Sequence, residues 1–473
     1  MKKIIPFFIG IIILGPSTQA FLNTNEILIN SNYFILNNSN LKDDFYDFII
    51  ITPENFLNEL EILREHKEQY EIKTKIITLL DIYNSIYFSV QGRDNAEKIK
   101  YFIKSAIENW GINYVLMVGT KETMPVRFVE NTFGNHHNRF ICDLYYSDIY
   151  DENESFCSWD SNSNDVFGEV NGSEVIDNVN LFPDISIGRI LCDNKFDLTI
   201  VIQKIISYEN NVYHSDWFNR IVLFGGDSQP TFSEIILPFL AGKVGSIVFE
   251  GEYIGDKIAK ILHDFEVTKI YSTGFIRSNA EMLTTENVNN AINQGAGFVE
   301  LSGHGNPDRI FTYFPFAIKW KNSDLLPNPL GYTLDDIKSL NNQRKLPIML
   351  FSACSCGDFD ALSVPLAWEF IRYEHGGAIA CLANTNPTYL IPSSLCTDTV
   401  SGHLLMTFFE SYAKDVNILG DLWKETIVHY VNDEHAWDLT RLNWGNMNIS
   451  IMNLEVWTLF GDPTLKLGGY NQF

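Results

Sequence analysis

The feature that most constrains this sequence is a run of four apolar residues, Ile348 to Phe351, which two small residues and then Cys354 follow. A short apolar run of this kind predicts a strand that is buried on both faces, as strands are inside a parallel sheet. Open α/β sheets place ligands and chemistry at the carboxyl ends of their strands. The sequence therefore predicts a thiol at the functional edge of a parallel sheet.

An earlier segment repeats this design. Residues 297–302 form another short, apolar-rich run, and His304 follows it between two glycines, Gly303 and Gly305. If the two predicted strands are neighbours in one sheet, His304 and Cys354 meet at its edge. A cysteine beside a histidine is a nucleophile with its general base. On its own, a cysteine at the end of a buried strand is more often an inert packing residue.

Strand and helix patterns alternate in the first part of the chain. Apolar runs predict strands over 48–52, 73–79 and 114–118, and helical apolar stripes lie between them. Asp94 is predicted to cap the second of these helices. Strand–helix alternation with these lengths predicts an α/β fold with a doubly wound, mostly parallel sheet flanked by helices.

The chain divides into four predicted parts. Residues 1–20 have a basic start, an apolar centre and a small-residue end, which are typical of a secretory signal peptide. Residues 21–45 are rich in Asn and Ser and predict a short lead-in or pro-segment. We predict an N-terminal α/β subdomain over 46–215 and a catalytic subdomain over 216–468.

Composition limits the partners of the chain. The formal net charge is −25, which argues against nucleic acid or an anionic membrane as a partner. No run after the signal segment reaches the 18 apolar residues of a membrane span, so we expect a secreted, soluble protein with no transmembrane segment after signal removal. The seven cysteines are an odd number, so at least one thiol stays free in an exported chain. Cysteine pairs that could bridge short loops are Cys142 with Cys157 and Cys381 with Cys396.

Ordered motifs along the chain resemble a known family. They are Tyr114–Gly119, Ile187–Arg189, Tyr208-Glu209, Ser302–Gly305, Ala353-Cys354 with Gly357–Phe359, and Trp457–Pro463. Together they resemble the gingipain-like cysteine peptidases, peptidase family C25 of the caspase-like clan, over roughly residues 46 to 468. The resemblance implies a caspase-like fold and an endopeptidase that hydrolyses protein or peptide substrates through a thioester on Cys354, with His304 as base and acid.

The resemblance also implies supporting roles. It makes the backbone N–H groups of Cys354 and Gly305 the oxyanion hole. Asp227 ends a predicted strand after two glycines, where the family keeps an acid near its histidine; an aspartate there is equally an ordinary turn or helix-cap residue. The chemistry needs no cofactor. Acidic loops such as 151–154 and 160–165 are usually just solvated, and because the family binds calcium, a structural calcium ion there is the alternative reading, with no ligand assigned.

Substrate specificity is where the sequence departs from that pattern. The arginine-specific members carry an acid two residues beyond a Gly-Glu pair, and the matching position here is Ile254. Tyr389 and Leu390 stand where the relatives offer tryptophan. Asp256 lies roughly 200° around the same predicted helix from Ile254 and should not replace the missing acid. We therefore expect a less polar or broader preference at the residue before the cut.

Three alternatives stay open at this stage. A transpeptidase or sortase-like enzyme would use the same Cys–His dyad, and a catalytically inactive surface-binding homologue would keep only the fold. Cys354 and Cys356 could also be half of a metal site, although no second Cys/His pair stands at zinc-ligand spacing. Cys356 is otherwise either incidental or a redox partner that blocks Cys354.

Overall fold

The structure is a computed structural model, and it describes residues 45–133, 136–172, 174–228, 248–314, 318–319, 331–433 and 449–471. The predicted signal peptide over 1–20 and the lead-in over 21–45, apart from Phe45, lie outside these residues.

The described residues contain twenty strands, eleven α-helices and four 3-10 helices. The strands are β1 Phe48–Thr52, β2 Thr74–Thr78, β3 Tyr114–Val118, β4 Phe128–Phe133, β5 His136–Ile141, β6 Val170–Asn171, β7 Glu174–Val175, β8 Ser186–Ile190, β9 Arg220–Gly225, β10 Glu266–Tyr271, β11 Glu281–Met282, β12 Phe298–Ser302, β13 His304–Asn306, β14 Arg309–Phe311, β15 Tyr313–Phe314, β16 Ile318–Lys319, β17 Tyr332–Thr333, β18 Ile348–Ser352, β19 Ala380–Asn384 and β20 Trp457–Phe460. The α-helices are α1 Leu57–Gln69, α2 Leu79–Tyr83, α3 Asn95–Trp110, α4 Lys195–Asn211, α5 Glu250–Ile261, α6 Thr285–Gln294, α7 Leu334–Ile337, α8 Leu366–Arg372, α9 Val400–Tyr412, α10 Leu419–Asn432 and α11 Ile449–Glu455. The 3-10 helices are Glu54–Phe56, Asp143–Tyr146, Asp216–Asn219 and Ser394–Thr397.

Eleven of the described strands form one large sheet. Their order is β11-β10-β9-β12-β18-β19-β20-β8-β3-β1-β2. Neighbouring strands are parallel throughout, except that β19 and β20 are antiparallel. The predicted α/β class with a mostly parallel sheet is therefore confirmed.

The central strands are buried along their whole length. Every residue of β1, β12, β18 and β19 is buried, as expected for strands of a sheet that is covered on both faces. These are the short apolar runs that the sequence contains, and β1 and β3 have the bounds predicted from it. Short buried runs therefore located the core strands correctly.

Helix α3 shows how local sequence sets an element's ends. The side chain of Asp94 accepts a hydrogen bond from the Glu97 N–H at 2.8 Å, so the predicted cap is confirmed. The helix ends at Gly111, which adopts a left-handed φ of 71° that glycine takes without strain. The buried face between these ends includes Ile99 and Phe102, which pack into the core.

Smaller sheets lie outside the large one. One has the order β5-β4-β6-β7, and β13, β14 and β17 form another next to the carboxyl end of β12. The predicted subdomain boundary near Asp216 falls in a 3-10 turn that leads into β9, and the large sheet continues from one side of it to the other. The division into two subdomains stays a prediction. None of the helices described above has both the length and the apolar character needed to cross a bilayer.

Candidate active site

Strand register brings the two predicted catalytic residues to one edge. Strands β12 and β18 are parallel neighbours, and Ser302 pairs with Ser352. His304 and Cys354 each follow two residues later, so both chains leave the sheet at the same level. Strand β9 pairs with the other side of β12 and delivers Asp227 and Ser228 beside them. The sheet topology alone therefore assembles a thiol and an imidazole.

The two side chains line one cavity. Its volume is about 340 Å³, and its described lining is Ser228, Gly303, His304, Ser352, Cys354, Thr388, Tyr389, Leu390, Pro392 and Ser401. Four of the residues predicted from the sequence are in this lining: Cys354, His304, Tyr389 and Leu390. Asp227, Gly305 and Ile254 are not among these lining residues.

The imidazole of His304 is held in a defined orientation. Its Nε2 lies 2.5 Å from the carbonyl oxygen of Ser228. Because a carbonyl only accepts hydrogen bonds, Nε2 must carry the hydrogen, and the lone pair of the neutral ring is then on Nδ1. The ring stacks on Phe311 and meets the ring of Tyr313 edge-on, with centroid distances of 5.1 and 5.6 Å. The tautomer that can accept a proton at Nδ1 is thus fixed by the backbone.

The thiol of Cys354 is half-buried and faces the cavity. Its Sγ lies 3.4 Å from the carbonyl oxygen of Thr388, to which the thiol can donate. Burial raises the pKa of this thiol, while backbone hydrogen bonds from Thr388, Cys354 and Gly305 act in the opposite direction. Since burial outweighs them, the thiol form is favoured over the thiolate, and attack on a substrate would need a base.

Gly305 packs directly on the backbone of Cys354. A Cβ atom at Gly305 would lie 2.2 Å from the Cys354 carbonyl oxygen and 2.9 Å from its nitrogen, which is too close for any side chain. Only glycine therefore allows the histidine strand to approach the nucleophile this closely. The role of its N–H group in an oxyanion hole stays a prediction.

Cys356 points away from the cavity. Ser355, between the two cysteines, has a left-handed φ of 55°, which turns the chain sharply. Cys356 is fully buried, and its Sγ lies 3.9 Å from the carbonyl oxygen of Arg309. Burial raises the pKa of the Cys356 thiol well above its ordinary value. In this structure all seven cysteines are free thiols, including the two pairs that could have bridged loops.

Asp227 lies next to the histidine's hydrogen-bond partner. It is 5% exposed, and its backbone N–H and carbonyl each pair with Tyr313 at 3.1 Å. The atom that accepts from His304 is the carbonyl oxygen of the following residue, Ser228. Sequence reasoning did not find Ser228, because a backbone carbonyl leaves no trace in residue type. The catalytic role of the Asp227 carboxylate stays a prediction.

The predicted specificity residue Ile254 lies in the core. It is on α5 and has no exposed surface, and the described cavity lining does not include it. The polar residues of the lining beyond the dyad are Ser228, Ser352, Thr388 and Ser401. Thr388 and Ser401 share a further buried partner, because the Oδ1 atom of Asn453 lies 2.5 and 2.6 Å from their hydroxyls. These hydroxyls were not predicted from the sequence.

The two acids nearest to Ile254 in sequence already have partners within the protein. The carboxylate of Asp256 is 2.8 Å from both Lys269 Nζ and Arg277 Nη2. The carboxylate of Glu252 accepts hydrogen bonds from Ser272, Thr273 and Arg277. These nearby cations lower the pKa of Asp256 despite its partial burial, which raises it. Neither acid is free to bind a substrate cation.

The described residues do not form a set of side chains that could hold a metal ion. Over the ranges that the structure describes, no group of three or more His, Cys, Asp or Glu side chains converges as metal ligands do. The described residues around Cys354 and Cys356 therefore do not fit a zinc site. The alternative of a structural calcium ion has no fitting set of such side chains among the described residues and stays a prediction from the sequence.

Known proteins resemble this chain in sequence and in fold. The family model described as Peptidase family C25 matches residues 42–468. Gingipain R2 of Porphyromonas gingivalis is 23% identical over 346 residues, which are 71% of this chain and 36% of that protein's length. A protein of Archaeoglobus fulgidus is 22% identical over 368 residues, or 72% of this chain and 75% of its own length.

Solved structures share the fold. The crystal structure of gingipain R, described as an Arg-specific cysteine proteinase, aligns with a TM-score of 0.58 and 19% identity, over 90% of this chain and 79% of that chain. The chain therefore belongs to peptidase family C25, and the prediction of a gingipain-like cysteine peptidase from its motifs is confirmed.

Proposed function

We propose that this protein is a secreted cysteine endopeptidase that hydrolyses peptide bonds through a thioester on Cys354. The observation that carries the proposal is the shared cavity, which is lined both by Cys354 and by His304, whose imidazole Nε2 hydrogen is held by the Ser228 carbonyl. Family membership gives the reaction class. The signal-peptide pattern of residues 1–20 supports export.

The first half of the reaction forms the thioester. His304 Nδ1 takes the thiol proton while Sγ attacks the substrate carbonyl carbon, so the C–S bond forms and the carbonyl electrons move to oxygen. The N–H groups of Cys354 and Gly305 would stabilise that oxyanion. The Ser228 carbonyl stabilises the imidazolium. When the oxyanion collapses, the C–N bond breaks and the imidazolium protonates the leaving amine.

The second half releases the acid. His304, now neutral again, removes a proton from a water molecule as the water attacks the thioester carbon. A second oxyanion forms at the same place and collapses with cleavage of the C–S bond. The proton returns to sulfur, and Cys354 is restored as a thiol. This chemistry needs no cofactor, because every proton transfer uses His304.

The walls of the cavity indicate the substrate residue that precedes the cut. Its described lining contains the aromatic ring of Tyr389, the aliphatic side chain of Leu390 and several hydroxyls, but no carboxylate. A guanidinium buried there would have no counter-charge, which is costly. The protein is therefore proposed to cleave protein or peptide substrates after uncharged residues.

Peptide mass spectrometry tests the proposal. The protein is incubated with a peptide library, with and without an added amine nucleophile, and Cys354→Ala is the control. Cleavage by the wild type alone supports the endopeptidase. Joining of the amine to the new carboxyl end would instead show a transpeptidase. Intact peptides with both proteins, together with a Cys354 that a thiol-directed peptide inhibitor does not label, would show an inactive surface-binding homologue.

A further inference from the structure

A buried carboxylate stands behind the histidine. Ser228, whose carbonyl oxygen accepts from His304 Nε2 at 2.5 Å, also binds the carboxylate of Glu250 with two groups. Its backbone N–H and its hydroxyl lie 3.1 and 2.8 Å from the same oxygen, Glu250 Oε2. Ser228 is thus held on one side by the acid and presents its carbonyl to the imidazole on the other. A hydrogen-bonded chain runs from Glu250 through Ser228 to His304.

The carboxylate itself is fixed in place. Glu250 is 4% exposed and lies in the first turn of α5, where the helix dipole favours a negative charge. The start of this helix is joined to the end of β9, because the Gly251 N–H donates to the Gly226 carbonyl oxygen at 3.0 Å. A Cβ at Gly225 would lie only 2.5 Å from the carbonyl carbon of Gly251. This close packing holds the first turn of α5, which carries Glu250, against the end of β9.

The negative charge of the Glu250 carboxylate makes its hydrogen bonds with Ser228 stronger than the hydrogen bonds of an ordinary turn. Hydrogen bonds from an N–H and an O–H to a buried carboxylate are about twice as strong as those between neutral groups. Two of them on one residue determine the direction in which its carbonyl points. The orientation of the Ser228 carbonyl in turn selects the His304 tautomer with its lone pair on Nδ1.

We infer that Glu250 is a positioning residue for catalysis, which holds the His304 imidazole through the backbone of Ser228. The inference rests on the proposed peptidase function and adds to it a residue that does not touch the substrate. Neither the motifs of the sequence nor the residues lining the cavity include Glu250. If it positions the base, its loss should reduce the chemical step rather than substrate binding, because a misplaced base affects only the transition state.

The test compares three substitutions in the full-length protein. Glu250→Ala should lower kcat by roughly tenfold to a hundredfold, with KM changed by no more than about twofold. Glu250→Gln should restore part of kcat, because its amide oxygen can still accept from Ser228. Ser228→Ala keeps the backbone carbonyl and N–H and should lose less than Glu250→Ala.

A matched control separates positioning from folding. Asp197 is also a buried acid in the first turn of a helix, where it pairs with Arg372 at 3.0 Å, far along the chain from the site. Asp197→Asn should lower the melting temperature and leave kcat unchanged. An equal loss of kcat in Asp197→Asn would assign the effect to general destabilisation and overturn the inference.

The remaining outcomes distinguish the inference from the function. An unchanged kcat in Glu250→Ala, with Cys354→Ala inactive, would overturn the inference and leave the peptidase standing. If the wild type cleaves no peptide, the proposed function fails, and the rate of Cys354 alkylation by iodoacetamide takes the place of kcat. That rate should still fall in Glu250→Ala, and an unchanged rate would overturn the inference. If Glu250→Ala does not fold, Glu250→Gln and Ser228→Ala decide, and wild-type rates in both would overturn it.

Discussion

Ser302 and Ser352 are register partners in the neighbouring parallel strands β12 and β18. Each lies two residues before a reactive side chain, so His304 and Cys354 leave the sheet together and face one cavity. The next cysteine along, Cys356, is already beyond the turn at Ser355 and is buried. Position relative to the strand end therefore distinguishes the two thiols.

This difference predicts opposite results for the two cysteines. Cys354→Ala should abolish turnover, because it removes the attacking sulfur. Cys356→Ala should keep most of the turnover, because it deletes one buried sulfur next to Arg309 and leaves the cavity unchanged. Peptidase assays on both purified variants, with melting curves to check folding, give the answer. An inactive Cys356→Ala beside an active Cys354→Ala would reverse the assigned roles.

Adding a single methyl group at Gly305 should also strongly lower peptidase activity. The Cβ of Gly305→Ala would lie 2.2 Å from the Cys354 carbonyl oxygen, so strand β13 has to move away from the nucleophile. We expect kcat/KM to fall by roughly a hundredfold and the free energy of unfolding by about 1–3 kcal/mol. Gly172→Ala is the control: a Cβ there meets nothing within 4 Å, and only the left-handed φ of 59° strains alanine, so this variant should lose stability and keep its kcat/KM. Activity in Gly305→Ala close to that of the wild type would contradict the close approach.

The raised pKa of Cys354 predicts how fast the free enzyme is alkylated at each pH. Only the thiolate reacts with iodoacetamide, and burial holds the pKa of this thiol above its ordinary value. The thiolate population therefore grows as pH rises, and the labelling rate should still be increasing above about pH 8.5, the ordinary thiol pKa. Labelled-peptide mass spectrometry measures the rate for Cys354 alone. A rate that levels off below pH 7 would show a stabilised thiolate instead.

Substrate profiling tests whether the residues that line the cavity set the preference for the substrate residue before the cut. We expect cleavage after uncharged residues and no strict preference for arginine, because the described lining has no carboxylate and Asp256 on α5 is paired with Lys269 and Arg277. Tyr389→Ala should broaden the profile by removing an aromatic wall. A library cleaved almost only after arginine would contradict this interpretation and would require Asp256 or Glu252 to leave its present partners.

A buried acid in β12 predicts how stability depends on pH. Glu300 has one oxygen bonded to the Ser302 hydroxyl, no described partner for the other, and a pKa raised by burial to about 8. The folded protein therefore binds this proton more tightly than the unfolded chain does. The stabilisation is fully present below roughly pH 4.3, the unfolded pKa, and is lost as pH rises to about 8.

Glu300→Gln stays neutral and removes this dependence. Relative to the wild type, the variant should gain stability between pH 5 and pH 8, by up to about 1.4 kcal/mol for each pH unit. Urea denaturation at both pH values measures the difference. Glu281→Gln, on the exposed edge strand β11, is the control and should give the same difference at both. If Glu300→Gln differs from the wild type by the same amount at pH 5 and at pH 8, the carboxyl of Glu300 is not protonated in the folded state.

Much of the fold was predictable because each buried strand corresponds to a short apolar run in the sequence. Short apolar runs such as 48–52 and 348–351 identify core strands without any knowledge of their neighbours. The pairing of strands cannot be predicted in this way, since it depends on residues that are far apart in the chain. The antiparallel position of β20 between β19 and β8 has no local signature, and the sequence did not indicate it.

The site was predictable to the extent that side chains define it. Glycines around His304 and small residues before Cys354 mark two strand ends, and residue type shows the chemistry. The partner of His304 is a backbone carbonyl, which every residue possesses, so Ser228 could not be found in this way. Ile254 was predicted as a pocket residue by its spacing from Gly251, but spacing does not say which face of α5 meets the core.

Strand β20 has a consequence for the timing of synthesis. It lies between β19, which continues through β18 to β12, and β8, which continues through β3 to β1 and β2. A nascent chain that has emerged as far as residue 456 already contains every residue of the described cavity lining, yet it lacks the strand that joins these two sets of strands. The central sheet cannot close until Phe460 has left the ribosome. The continuous sheet is therefore completed only after the nucleophile itself has been made.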